Sequence, residues 1–397
     1  MKKELLKIFW TRYKVALILL SVFLIGFGII NGNSRVNSWK ASYKYYTSEQ
    51  FEKEYLSYKY KPTETLEEYQ LNQFRVYFDE KERKGEINVP SFVTENRTVP
   101  FLSPNSTYLL LFLFSGFLLF FIDLKTGFNQ FLFSIGFQKR NIFLTKYLLI
   151  APTLVLSLFI GNLLQNILFF HGIPNEYMNG GTFAQSVPII LLNTLLALTL
   201  FTVGTFLGVL MGQLILGVIT LLGFTLYLHY CIKTVDAIRN LSYFIQHHKD
   251  RYNYKGLPLR FSDFEFHQCA IGTPLGHDVL IILIFTVGLF LFTLYWYPRT
   301  SLENTGKYLL QPSLKKVTFE IVIISSFVIP YFINLGGPYT DSQENYFSVP
   351  QLLARPLSFA LTFAVIGTII AYLVIYQLDG VKHLMFWKKR EISLNEN

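Results

Sequence analysis

Long runs of apolar residues, separated by short polar stretches, dominate the chain. The runs lie at about residues 14–32, 107–124, 147–170, 187–208, 212–231, 279–297, 317–336 and 357–378. A helix of about 20 mostly apolar residues is long enough to cross the hydrocarbon core of a membrane. The pattern therefore predicts an all-α polytopic membrane protein with about eight transmembrane helices.

The boundary between the fourth and fifth runs carries no charge. From residue 187 to residue 231 there are 45 residues without Asp, Glu, Lys or Arg. As a single helix they would extend about 68 Å, more than twice the roughly 30 Å of the hydrocarbon core. Two glycines and a glutamine interrupt the stretch in GVLMGQ, residues 208–213. We therefore predict two spans with a break at these residues.

Basic residues indicate which ends of the spans face the cytoplasm, because Lys and Arg in short loops stay on that side. With the N-terminus inside, the segments 1–14, 125–146, 298–316 and 379–397 carry 5, 4, 4 and 4 of them, and the short outer loops 171–186 and 337–356 carry 0 and 1. Seven spans would move residues 298–316 and the C-terminal tail outside. The distribution predicts eight spans with both termini cytoplasmic.

These boundaries predict five parts of the chain. They are an amphipathic N-terminal helix with span one (1–32), an outer insertion (33–106), spans two to five with a cytoplasmic loop at 125–146 (107–231), a second outer segment with a possible re-entrant helix (232–277), and spans six to eight with a basic tail (278–397). Residues 1–13 could equally be a simple basic flank of span one. No small-x-small cleavage site follows the first run, so we interpret it as a retained span rather than a signal peptide.

Composition agrees with a membrane protein and narrows its partners. The chain of 397 residues is 51% hydrophobic and only 15% charged, whereas soluble domains average about 25% charged residues. The net charge of +9 follows from the basic cytoplasmic segments, so it indicates a lipid bilayer and not nucleic acid.

The outer insertion is predicted to be a small helical subdomain. Helices are expected at about 47–60 and 64–83, where Phe51 and Tyr55 share a face and Thr65 with Glu68 forms a capping box. The subdomain either contacts a substrate or only packs on the membrane surface.

The second outer segment concentrates side chains that could bind a metal or form a disulfide. His247, His248, His267 and His277 lie in it, together with Cys269, and Cys231 lies at its edge. Their spacing matches no standard zinc pattern, so we predict no metal site. A disulfide between the two cysteines remains an alternative to two free thiols.

Sequence motifs of known catalytic or nucleotide-binding sites are missing. The chain contains no G-x-x-x-x-G-K-[ST], no H-E-x-x-H and no G-x-S-x-G. Charged residues are scarce inside the spans, and the polar ones there are mainly amides, namely Asn162, Gln165, Asn166 and Asn193, which we expect to bond between helices. We therefore predict no catalytic residues and no bound cofactor, and we disfavour an ion channel or a proton-coupled transporter.

The loop at 125–146 carries a recognisable order of residues. Asp123 closes span two, Gly127 follows, and an amphipathic stretch leads to Lys139-Arg140, the apolar pair Ile142-Phe143 and Lys146. This order resembles the cytoplasmic loop of type-two ABC exporter permeases, the membrane subunits of ATP-driven exporters. The proline usual in their turn is absent, and Gly136 takes its place.

A second match follows span six. Arg299, Ser301, Glu303 and Gly306 resemble the corresponding segment in a Gram-positive branch of these permeases. That branch adds two further spans and has an outer insertion between spans one and two. The resemblance covers most of the chain in layout and is specific in these two loops.

The resemblance implies a site for a partner. The loop would form a coupling helix that docks on a separate ABC ATPase, which would bind ATP-Mg. The residues assigned to this contact are Gly136, Phe137, Gln138, Lys139, Arg140, Ile142, Phe143 and Lys146, with Arg299, Glu303 and Lys307 as a secondary cytoplasmic contact. Phe137, Ile142 and Phe143 would supply apolar anchors, and the basic pair would supply polar rim contacts.

The implied protein is a permease of a bacterial cell membrane that pairs with a second permease chain, alike or different. It would export a hydrophobic or amphipathic cargo such as a peptide, an antibiotic or a lipid-like molecule. The alternative is a membrane sensor or assembly factor that transports nothing and acts through residues 33–106. A membrane enzyme using the outer histidines is a weaker third hypothesis.

Overall fold

The structure of the chain is a computed structural model. It describes residues 3–57, 65–77, 106–179, 182–224, 227, 230, 234, 238, 275–300, 307–341 and 354–376. By its contacts the chain forms two compact units. The first comprises Met1–Gly116, Ile135–Gly204 and Phe266–Tyr295, and the second comprises Phe117–Ser134, Thr205–Glu265 and Trp296–Asn397.

The described residues are almost entirely helical. The helices are α1 (Lys3–Tyr46), α2 (Glu49–Ser57), α3 (Leu66–Phe74), α4 (Ser106–Lys125), α5 (Phe128–Ser134), α6 (Lys139–Gly172), α7 (Phe183–Leu210), α8 (Leu214–Phe224), α9 (Leu275–Trp296), α10 (Leu314–Asp341) and α11 (Leu357–Ile375). Two short 3-10 turns occur at Asn175–Tyr177 and Tyr297–Arg299. The two strands, β1 (Val76–Tyr77) and β2 (Met178–Asn179), have two residues each and pair in parallel.

Seven of these helices are long and apolar enough to cross a membrane: α1, α4, α6, α7, α9, α10 and α11. The prediction of an all-α polytopic membrane protein is confirmed. The fifth predicted span is described as a continuous helix only over α8, and Tyr227, Tyr230, Thr234 and Ile238 beyond it are also helical. The count of eight spans therefore stays a prediction.

The first span belongs to a much longer helix than expected. Helix α1 runs without interruption for 44 residues, which corresponds to about 66 Å. The amphipathic residues at its start and the polar residues after the apolar run are therefore continuous with span one. The predicted boundary at residue 32 falls inside this helix.

In the first unit, α1 packs along α6 through glycines. Gly28 lies against the backbone of Gly161, and Gly161 in turn approaches Leu24 so closely that a Cβ there would lie 2.6 Å from the Leu24 carbonyl oxygen. Four residues beyond Gly28, a Cβ on Gly32 would lie 3.0 Å from the carbonyl oxygen of Gln165. Small residues at this spacing let two membrane helices approach through their backbones.

The described part of the outer insertion is mostly helical, but the helix predicted over about 64–83 ends at Phe74, and Val76–Tyr77 form the strand β1 because they pair with Met178–Asn179. Helix α2 buries Phe51 and Tyr55, and Tyr69 of α3 stacks on Phe51 with ring centroids 6.0 Å apart. The capping box is present, because the Thr65 N–H donates to the Glu68 carboxylate at 2.9 Å and the Glu68 N–H donates to Thr65 Oγ1 at 3.2 Å. The insertion thus has a small aromatic core.

Inside the apolar helices, one amide that was predicted to bond between helices bonds within its own helix. Asn166 Nδ2 donates to the Asn162 carbonyl one turn earlier at 2.8 Å. Two pairs of buried hydroxyls make interhelical bonds: Tyr147 with Thr202 at 2.6 Å, and Thr199 with Thr286 at 2.7 Å.

In the second unit, the predicted break between spans four and five is confirmed. Helix α7 ends at Leu210 and α8 begins at Leu214. The chain between them pairs with a distant strand-like segment: the Gly212 N–H donates to the Tyr308 carbonyl at 3.0 Å, and the Leu310 N–H donates to the Leu210 carbonyl at 2.8 Å. These bonds occupy backbone groups that the interrupted helix leaves free.

Candidate functional site

The segment between α4 and α6 contains a short helix between two glycines in the left-handed conformation. Helix α4 ends at Lys125, Gly127 has φ of 69°, α5 covers Phe128–Ser134, and Gly136 has φ of 84°. Glycine adopts positive φ at no steric cost, so it suits both turns. The amphipathic stretch predicted from the sequence is therefore a separate helix of seven residues.

Several side chains of this segment are accessible. Phe131 and Ile135 are 53% and 51% exposed. Gly136, Gln138 and Arg140 are exposed as well. We define residues 128–140 as the docking segment.

The basic pair begins helix α6. Lys139 and Arg140 occupy its first two positions, and Gln138 is the N-cap residue. The Gln138 side chain accepts from Asn141 Nδ2 at 3.2 Å instead of capping the helix. Cations at a helix N-terminus oppose the helix dipole, at a cost of about 0.3–1 kcal/mol each. The pair and the dipole together present positive potential, which suits an acidic partner surface.

Three residues assigned to partner contact lie inside the protein. Ile142 and Phe143 are 0% exposed, and Lys146 is 2% exposed. Phe143 packs on Tyr147 and Phe290, with ring centroids 5.9 and 5.8 Å apart. Because α6 already begins at Lys139, these side chains fall on its packed face one or two turns later. Surface anchors expected at Ile142 and Phe143 are therefore core residues here.

Lys146 has a different environment from the one expected of a loop residue. Its Nζ lies 5.0 Å from the centroid of the Tyr13 ring on α1. An ammonium over an aromatic face is stabilised by the quadrupole of the ring, and more strongly when water is excluded. Lys146 therefore joins α6 to the N-terminal part of α1.

In the second unit, α5 contacts the 3-10 turn that follows α9 through polar side chains. The Tyr297 hydroxyl donates to Asn129 Oδ1 at 3.4 Å, and both residues are buried. Asp123, at the end of α4, is 0% exposed and interacts electrostatically with Tyr297. The structure thus places Asp123 and Asn129 next to the turn that begins at Tyr297.

The secondary contact is only partly described. Arg299 ends the 3-10 turn, and Thr300 closes it by donating its N–H and its Oγ1 to the Tyr297 carbonyl at 3.2 and 2.7 Å. Glu303 lies outside the described residues. Lys307 is exposed and precedes Tyr308.

Tyr308 extends the polar contacts of this segment. Its hydroxyl shares a hydrogen bond of 2.9 Å with Thr220 of α8. Burial raises the pKa of the Tyr308 hydroxyl, and the bond with Thr220 only partly opposes this effect. The group is therefore neutral at physiological pH and acts as a structural contact.

The remaining candidates fall mostly outside the described residues. This applies to His247, His248, His267, Cys231 and Cys269, and hence to the disulfide and the re-entrant entry into span six. His277 is one of the first residues of α9. Within the part of the chain that the structure describes, no group of three His, Cys, Asp or Glu residues could hold a metal ion.

Comparison with known proteins adds no relative. No protein-family model, curated protein or solved structure matches this chain. The functional assignment therefore rests on the residues and their geometry.

Sequence reasoning missed Asn129 and Tyr297. Asn129 is one polar residue in FNQFLFS, and Tyr297 is one of several aromatic residues that end span six. No sequence pattern around Asn129 or Tyr297 indicates which residue its side chain contacts. Only the tertiary contact of α5 with the 3-10 turn at Tyr297–Arg299 pairs them.

Proposed function

We propose that this protein is the membrane subunit of a bacterial ATP-driven exporter, and that the docking segment binds a separate ABC ATPase. The observation that carries the proposal is the short helix α5 between two left-handed glycines, followed at once by a basic pair. A short helix with exposed side chains such as Phe131 can dock into a cleft on a partner. The resemblance in the same residues supports an ATPase as that partner.

The accessible side chains suit docking. Phe131 and Ile135 are apolar and half exposed, and Arg140 adds charge at the same segment. Interfaces usually combine apolar anchors with a charged rim. The chain has no P-loop sequence of its own, so ATP-Mg would be bound by the ATPase.

The contacts within each unit support eight spans, and the resemblance implies that the membrane is the bacterial plasma membrane. Two residues that pair at helix ends lie on one side of the membrane, so an even number of crossings separates them. Val76 pairs with Met178. Two spanning helices, α4 and α6, lie between these residues in sequence, so the number of crossings is even, as required. Met211 pairs with Leu309, and α9 lies between them. A second crossing is needed there, and α8 with its helical continuation is the segment available.

A second permease chain and a hydrophobic or amphipathic cargo complete the proposal. Both follow from the resemblance. The scarcity of charge within the spans is compatible with such a cargo.

The first test is affinity purification of the chain from its native host in mild detergent, with mass spectrometry of the proteins that co-elute. A stoichiometric P-loop ATPase is expected. Ile135→Asp combined with Arg140→Glu should lower the recovered ATPase at least about tenfold, because a charge replaces an apolar anchor and the basic contact is reversed.

Lys316→Glu serves as the matched control, since the Lys316 side chain is 81% exposed and pairs with Glu320 one turn away. It should leave the recovered ATPase unchanged. Full recovery with the double variant would refute the docking segment. Recovery of the wild-type chain alone, at native expression and in several detergents, would refute the exporter and favour a sensor acting through residues 33–106.

A further inference from the structure

Helix α5 is too short to hold its own orientation. It has seven residues, and helices below about 12 residues are marginal in water without tertiary contacts. Its buried residues are Asn129 and Leu132. The burial of Leu132 stabilises α5 but sets no preferred hydrogen-bond direction. The buried Asn129 amide, in contrast, requires a hydrogen-bond partner at a defined position.

Tyr297 supplies that position. It is 5% exposed, lies in the 3-10 turn after α9, and donates to Asn129 Oδ1. A hydrogen bond has directional requirements that an apolar contact lacks. This long bond of 3.4 Å, together with the buried Leu132, contributes to the rotation of α5 about its axis, and with it to the direction of the exposed Phe131.

Residues 308–310 make a separate set of contacts in the second unit. Leu309 pairs with Met211, Leu310 bonds to Leu210, and Tyr308 bonds to Thr220. Tyr308 therefore offers a buried hydroxyl in the same unit whose hydrogen-bond partner lies on α8 and not on α5.

We propose that Tyr297 is a positioning residue that orients α5 for the partner ATPase. This inference rests on the proposed function for the identity of the partner. The orientation of α5 itself is a property of the isolated chain and can be measured without any partner.

The experiment on the chain alone is hydrogen–deuterium exchange of residues 128–134 in detergent or lipid nanodiscs. Tyr297→Phe keeps the ring and removes only the hydroxyl. Amide exchange in α5 should become roughly twofold to fivefold faster, as expected for the loss of one long hydrogen bond. Tyr308→Phe is the matched control, because it removes another buried hydroxyl of the same unit that does not contact α5.

A double-variant cycle shows whether the effect passes through this bond. Asn129→Ala should also accelerate exchange, and Tyr297→Phe with Asn129→Ala should be no faster than the faster single variant. Exchange in Tyr297→Phe equal to wild type, or equal acceleration in Tyr308→Phe, would overturn the proposal. Additive effects would overturn it as well, since they would mean that the two residues act separately.

The second readout uses the complex of the full chain with its co-purified ATPase. Tyr297→Phe leaves the exposed side chains unchanged, so the ATPase should still co-purify, while ATP hydrolysis per complex should fall at least about threefold. Unchanged hydrolysis would contradict a role in positioning. If the wild-type chain purifies without an ATPase, the proposed function fails, whereas the exchange experiment still decides whether Tyr297 orients α5.

Discussion

Gly28 shows how one residue determines the contact of two long helices. A Cβ at this position would collide with the carbonyl oxygen of Gly161 on α6. By contrast, Gly26, two residues earlier on the same helix, has no atom within 4 Å of its Cβ position other than its own helix. Two glycines in similar sequence surroundings therefore have different roles.

This contrast gives a residue-scale prediction. Gly28→Leu should separate α1 from α6 and lower the unfolding temperature in detergent by several degrees, because overpacking typically costs about 1–3 kcal/mol. Gly26→Leu should leave the unfolding temperature unchanged or raise it slightly, since Leu has the higher helix propensity. Thermal unfolding followed by size-exclusion chromatography measures both. Equal losses in the two variants would contradict the glycine contact.

At the scale of elements, α3 depends on its cap. The helix has nine residues, and Thr65 together with Glu68 satisfies two of its terminal N–H groups. The Thr65 backbone N–H, and to a smaller extent its hydroxyl, hold the pKa of Glu68 below its ordinary value of about 4.5. A carboxylate with a depressed pKa stabilises the folded helix above its unfolded pKa. That stabilisation is lost as pH falls through the folded pKa.

We expect two substitutions of Thr65 to raise the pKa of Glu68 by different amounts. Thr65→Ala removes the smaller contribution and should raise the pKa of Glu68 slightly. Thr65→Pro also removes the backbone donor, and the Thr65 φ of −68° accommodates proline, so the rise should be larger. NMR titration of the Glu68 side-chain carbon in labelled protein measures both values. An equal pKa in wild type and Thr65→Pro would show that the capping box is not formed.

At the scale of the whole molecule, the topology is open to a direct test. Asn175 precedes β2 and Ser313 precedes α10, and both are exposed. In a background without Cys231 and Cys269, Asn175→Cys should react with an impermeant maleimide on intact cells. Ser313→Cys should react only after permeabilisation. Labelling of Ser313→Cys on intact cells would mean that α8 does not cross, because only then do both positions lie outside.

Much of the architecture was predictable because it depends on local patterns. Apolar runs indicated the seven long helices, the glycines of residues 208–213 indicated the break, and Thr65 with Glu68 indicated a helix start. Each of these features acts through neighbours within one or two turns. The sequence therefore contains the whole physical cause.

The candidate site was less predictable, because its geometry depends on which helix faces pack. Ile142 and Phe143 were predicted as surface anchors, yet they are buried, while Phe131 and Ile135 are half exposed. In a membrane protein a side chain facing lipid and one facing another helix are equally apolar. Periodicity alone cannot tell the two apart.

The sequence by itself determined the seven long apolar helices, the helix break within residues 208–213 and which segments carry positive charge, since length, hydropathy and charge act along the chain. Only the tertiary structure decided that Asn129 meets Tyr297, that Gly28 meets Gly161 and that Leu310 bonds to Leu210. These pairs are distant in sequence. Their contact follows from the packing of several helices at once, which no local pattern specifies.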